Sequence, residues 1–193
     1  MATTPKILAF AGSTRAESFN KKLINIAAKG ARDAGADVTL VDLRDYSLPM
    51  FDGDVEDREG LPENAKKLKA LFLANDGLLI SAPEYNSGIT GVLKNTIDWV
   101  SRSEGDEDDL ACFVGKVAAI MSASPGALGG LRGLIQVRSI LTNIHVLVLC
   151  DQVTVARAHE AFNTDGSLKD AKKQAAVEKH AATLAQTLRK LKA

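Results

Sequence analysis

The sequence predicts an α/β fold, a five-stranded parallel sheet with helices on both faces. Three observations carry this reading. Short apolar runs recur along the 193 residues, apolar residues at helical spacing fill the stretches between them, and the runs lack the alternation of a half-exposed strand. Strands that alternate with helices in this way pair in parallel through right-handed crossovers.

The first strand is the run at 7–11. Ser18 then stands as N-cap of a helix reaching about Asp33, with Phe19, Leu23, Ile26, Ala27 and Gly30 at helical spacing. Residues 38–41 form the second strand, and the polar stretch 43–61 reads as a long loop. A helix over 62–74 follows, with Pro62 suited to its first turn because that position needs no N–H. The third strand is 77–80, followed by a helix over 90–101 and an acidic run from Glu104 to Asp109 that reads as a solvated loop. The fourth strand is 117–121. After it comes a helix over 129–142 whose buried face is marked by Leu131, Leu134, Ile135, Ile140 and Leu141. A fifth strand over 144–149, with His145 inside it, and a closing helix over 167–192 complete the pattern. No repeat or linker interrupts it, so residues 1–193 are expected to form one domain.

Composition excludes several classes of partner. Lys plus Arg and Asp plus Glu both total 24, so no net charge draws the chain to nucleic acid or to an anionic membrane. Neither a signal peptide nor a run of about 20 apolar residues is present. Cys112 and Cys150 form no C-x-x-C and have no clustered histidines, which predicts two buried thiols, no metal site and a cytoplasmic address. His145, His159 and His180 have no visible catalytic partners and read as structural.

In open α/β sheets ligands bind beyond the carboxyl ends of the strands, which selects three loops. The first, at 12–20, joins a strand to a helix N-terminus, where free N–H groups and the helix dipole favour a phosphate. Gly12 permits a tight turn, Ser13, Ser18 and Asn20 can donate hydrogen bonds, and Arg15 adds a charge-assisted contact. The loop matches neither the nucleoside-triphosphate nor the dinucleotide glycine pattern. Alone, it is equally explained as a polar helix cap. The second loop, SAPEYNSGITG from position 81, has Pro83 and Gly88 shaping a turn, with the aromatic face of Tyr85 set between Glu84 and Asn86. A flat heteroaromatic ring fits beside it. The third, SASPGALGGLRG at 122–133, supplies glycines that let backbone approach a ligand closely.

Taken together, GSTRAESFN, APEYN, LKNTIDWVSR and ASPGALGGLR, in this order and spacing, resemble the NADPH-dependent FMN reductase family of quinone and azo reductases, over about residues 6 to 138. The resemblance implies a flavodoxin-like three-layer sandwich with strand order 2-1-3-4-5 and non-covalent FMN. It also implies two-electron reduction of quinones, azo compounds, chromate or free flavin by NADPH or NADH in a ping-pong cycle. By the same resemblance Gly12, Ser13, Arg15, Ser18 and Asn20 hold the FMN phosphate. Pro83, Glu84, Tyr85 and Asn86 border the ring, and Ser122 with the 123–126 turn, which holds Ser124, Pro125 and Gly126, lines the ribityl and ring side. Family members form dimers or tetramers; Trp99, Val100 and the apolar stripe on 129–142 are candidates for such an interface. One departure is Thr90, where the family usually has proline; threonine can cap the helix that follows. No protein nucleophile is expected, because the cofactor carries the hydride chemistry. The rival reading is a flavodoxin-type electron carrier, against which the zero net charge speaks. A phosphorelay receiver is disfavoured because Ala11, Gly12 and Ser13 stand where it needs acidic residues.

Overall fold

Residues 4–192 are described by a computed structural model of the chain. Strands β1 (Lys6–Ala11), β2 (Asp37–Val41), β3 (Gly77–Ser81) and β6 (Val117–Ala123) lie in parallel in the order β2-β1-β3-β6. β1 buries both faces, which is why it reads as one apolar run. Ile7, Ala9 and Ala11 point to one layer of helices, α1 (Phe19–Asp33) and α7 (Ala171–Leu191), while Leu8 and Phe10 point to the other. That second layer holds α3 (Glu63–Leu73), α4 (Gly91–Val100) and α5 (Leu131–Asn143). The arrangement is flavodoxin-like, as expected. α1 and α7 approach so closely that a Cβ on Gly30 would sit 2.6 Å from the Glu178 backbone.

The expected fifth strand is split. β7 (Leu147–Val148) and β8 (Val153–Val155) both pair in parallel with β6, so the main sheet has six strands. Between Val148 and Val153 the chain leaves the ladder. The Arg138 guanidinium donates to the carbonyls of Val148 (3.3 Å), Leu149 (2.8 Å) and Cys150 (3.2 Å), replacing part of the lost ladder. His145 falls outside the strand, exposed and at φ 66°, in the turn after α5. Cys150 is exposed rather than buried; Cys112 is buried as expected.

The 43–61 stretch is not a plain loop. It holds a short 3-10 turn at Leu43–Asp45 and α2 (Gly53–Glu59), a helix with no buried residue and therefore no apolar signature. This stretch covers Trp99, whose Nε1 donates to the Pro49 carbonyl at 2.8 Å and whose ring meets Phe51 edge-on. Trp99 and Val100 are 0% and 1% exposed inside their own chain, which removes them as interface candidates. The acidic run is tied down at two points. Glu104 pairs with Lys66 at 2.6 Å, and Glu107 with the buried Lys69 at 2.7 Å. Pro62 caps α3 rather than entering its first turn. The closing helix, expected over 167–192, is α7 and starts only at Ala171 behind its cap Asp170; a short helix the sequence reading lacked, α6 (Ala158–Ala161), precedes it.

Candidate functional site

Beyond the carboxyl ends of β1, β3 and β6, the three loops converge on one cleft of ≈ 70 Å³. It is lined by Ser13, Arg15, Ser18, Asn20, Pro83, Glu84, Tyr85, Ser124 and Pro125, with Ala123 of the expected 123–126 turn and with Phe19, which sequence reasoning missed. A wider hollow of ≈ 340 Å³ opens beside Thr14, with Arg44, Tyr46 and Asn95 in its walls, but it lacks the convergent loops. Among the described residues no three His, Cys, Asp or Glu side chains gather where they could hold a metal ion.

At one end of the cleft stands the N-terminus of α1. Ser18 has the extended backbone of an N-cap (φ −78°, ψ 128°), yet its hydroxyl makes no capping bond and it is 6% exposed. Ser13 Oγ accepts from the Arg15 N–H at 3.3 Å, and the Arg15 side chain is exposed. A free hydroxyl, a helix dipole and an arginine suit a dianionic phosphate. Gly12 lets the turn pass close to α4: a Cβ there would lie 3.0 Å from the Leu93 Cβ and Cδ2 and would press on that side chain.

Asn20 corrects the sequence reading. Its Nδ2 donates to the Ala123 carbonyl (2.8 Å), while its Oδ1 accepts from the Ser81 hydroxyl (2.8 Å) and the Ala123 N–H (2.9 Å). At 3% exposure it clips the first turn of α1 to the ends of β3 and β6, and its oxygen is already committed. Thr90 does the same work on the other side. Its Oγ1 accepts from the Leu93 N–H (3.3 Å), capping α4, and donates to the Gly12 carbonyl (2.8 Å).

The opposite end of the cleft is a hairpin. β4 (Glu84–Tyr85) and β5 (Gly88–Ile89) are antiparallel, joined by Asn86 and Ser87 at φ 50° and 66°. This pair of positive φ values is the twist a two-residue hairpin needs, and it puts Asn86 at the tip, outside the cleft. Gly88 serves a close approach, since a Cβ would lie 3.1 Å from the Gln136 Oε1. Tyr85 is 53% exposed beside the cleft. Glu84, in the lining, meets Arg132 at 2.6 Å. Burial pushes the Glu84 carboxyl up, but hydrogen bonds from Arg132 and the Gly133 N–H outweigh that and hold it below the usual carboxylate range.

Ser122 lies beneath the lining, 0% exposed, with its hydroxyl unpartnered against Gly130. Ser124 is half-buried; its Oγ accepts from the Gly126 N–H at 3.3 Å, shaping the turn, and Gly126 itself stands outside the cleft.

A flavodoxin-like sheet with an anion-binding helix end facing an exposed aromatic defines the chain as a flavin-site protein of the α/β class. The model of the NADPH-dependent FMN reductase family matches residues 5–160, and the chain belongs to that family, an FMN-using oxidoreductase dependent on NAD(P)H. It is 32% identical over 193 residues to an NAD(P)H-dependent FMN reductase of Pseudomonas aeruginosa, covering 100% of both chains. It is 33% identical over 149 residues to a quinone reductase of Escherichia coli, covering 77% of this chain and 76% of the other. Among solved structures, a flavoenzyme NAD(P)H:(acceptor) oxidoreductase of Paracoccus denitrificans superposes with a TM-score of 0.79 at 26% identity, over 97% and 98% of the two chains.

Proposed function

We propose that this chain acts as one FMN-binding unit that passes two electrons from NADPH or NADH to a small-molecule acceptor of the quinone class. The observation that carries this is the polarity of one cleft, with a phosphate-type end at Ser13, Arg15 and Ser18 and an exposed aromatic at Tyr85. Quinone reductases among the relatives support the choice of acceptor.

FMN, when bound, supplies the hydride chemistry. The chain's own residues bind, orient and shield. Arg15, the Ser18 hydroxyl and the N-terminus of α1 would hold the phosphate. Pro83, Tyr85, Ser124 and Pro125 would flank the ring and leave one face open to both substrates in turn. Asn20 ties the start of α1 to Ser81 and Ala123, and Thr90 ties the start of α4 to Gly12, through the bonds described above. Steady-state kinetics test this: double-reciprocal plots against NADPH at several quinone concentrations should be parallel. Intersecting plots would show that both substrates bind at once and would sink the shared-face reading.

The same reading places the protein in the cytoplasm, in keeping with its unpaired cysteines. Among the described residues no helix is long and apolar enough to cross a membrane. It also makes the protein a homodimer or homotetramer. With Trp99 and Val100 excluded, support comes from Tyr85, Leu128 and Ile135, which are 53%, 50% and 58% exposed on the hairpin and around α5. Sedimentation of the FMN-loaded protein at micromolar concentration should give twice or four times the mass of one chain; a monomer would refute it.

A further inference from the structure

The Tyr85 hairpin has little to hold it in place by itself. It consists of two residue pairs, Glu84 with Ile89 and Tyr85 with Gly88, far short of a ladder that is stable alone in water. Its position must come from what it lies against, which is α5. That helix begins at Gly130, in the left-handed region at φ 92°, with no side chain to cap it. The missing cap is provided from across the cleft. Glu84 Oε2 accepts from the Gly133 N–H at 3.1 Å, and Oε1 accepts from Arg132 Nε at 3.0 Å and Nη2 at 2.6 Å. The carboxylate side chain is 8% exposed and its arginine partner 56%.

The surface of α5 is shaped to receive the hairpin. A Cβ on Gly133 would come 3.2 Å from the Glu84 Cβ and 3.3 Å from the Gly88 carbonyl, so any larger residue would push the hairpin outward by a few tenths of an ångström. One turn further along, Gln136 Nε2 donates to the Ser87 carbonyl at 3.0 Å and its Oε1 accepts from the Ile89 N–H at 3.4 Å. An anion at a helix N-terminus, reinforced by a forked arginine, is among the stronger contacts available near a surface.

We propose that Glu84 and Arg132 form an ionic latch between the hairpin and the N-terminus of α5, and are positioning residues that set the Tyr85 wall of the cleft rather than ligands of the cofactor. The proposal rests on the reading of this cleft as the flavin site, but the latch itself is testable without flavin.

The test begins with hydrogen–deuterium exchange on the FMN-free protein. Loss of a charge-assisted hydrogen bond should raise exchange of residues 84–90 by about tenfold to a hundredfold in Glu84→Ala and in Arg132→Ala. Exchange in β1 and α1 should not change. The double variant should exchange no faster than Glu84→Ala alone, since each substitution removes the same contact. Glu84→Gln, which keeps the shape and loses the charge, should fall between native and Glu84→Ala. In the loaded protein, the limiting rate of flavin reduction at saturating NADPH should fall about tenfold while FMN affinity shifts by less than about threefold, the split expected when orientation and not binding is lost. Native exchange at 84–90 in both single variants, or effects that add in the double, would overturn the latch. A large loss of FMN affinity in Glu84→Gln would show that Glu84 is a ligand. If native loaded protein is not reduced by either nucleotide, the functional reading fails while the exchange data still decide the latch.

Discussion

Arg15, in the loop after β1, and Asn20, in the first turn of α1, offer similar polar side chains but do different work. Arg15 is exposed, while the Asn20 amide is spent on Ala123 and Ser81. Arg15→Ala should therefore weaken FMN by about 1.5–3 kcal/mol and leave riboflavin, which lacks the phosphate, unchanged. Asn20→Ala should weaken both flavins and also lower the unfolding free energy by about 1–3 kcal/mol for each buried group it orphans. Calorimetric titration with the two flavins, with urea unfolding alongside, separates the two roles; equal losses for FMN and riboflavin in Arg15→Ala would remove it from the phosphate. The nature of such residues could be read from the sequence, but their partners could not. A short polar residue after a strand announces a turn, whereas the Asn20 partners lie 61 and 103 residues away. His180 makes the same point. It reads as structural and is so, 5% exposed with its Nε2 3.2 Å from the Ile120 carbonyl.

Elements were legible in proportion to how much of their stability comes from their own pattern. β1, β3 and β6 lie where the apolar runs put them because both faces are buried. α2 was invisible because it buries nothing. The break in the fifth strand depends on Arg138 from a neighbouring helix, and no local signal records that. The hairpin was read only as an irregular turn, since its place depends on α5. Thr90 supplies a test at this scale. Its φ of −69° already suits a proline ring, so Thr90→Pro should fold. It would lose both the cap on Leu93 and the bond to Gly12, and should lower stability by about 1 kcal/mol with weaker FMN binding. Urea midpoints and flavin titration check this; unchanged flavin affinity would show that Thr90 does not steady the phosphate loop.

For the whole molecule, α7 closes one face of the sheet and carries His180 against β6. Burial lowers the pKa of this imidazole, with Arg138 adding to the effect and the Ile120 carbonyl and Asp151 opposing it. The unfolded chain takes up a proton near the ordinary value of about 6.5, and the folded one only at lower pH. Stability is thus full above that value and falls as pH drops through the window beneath it. Unfolding free energies between about pH 7.5 and 5.5 should show this decline, and His180→Gln should flatten it; an equal decline in the variant would assign it to other groups. On the proposed function, one cleft holds FMN and serves nucleotide and acceptor in turn. Anaerobic stopped-flow spectroscopy of the FMN-loaded protein tests it most directly. NADPH or NADH alone should bleach the flavin absorbance and a small quinone should then restore it, both within the turnover time. Flavin that is bleached by dithionite but by neither nucleotide over minutes would contradict it and identify the chain as an electron carrier.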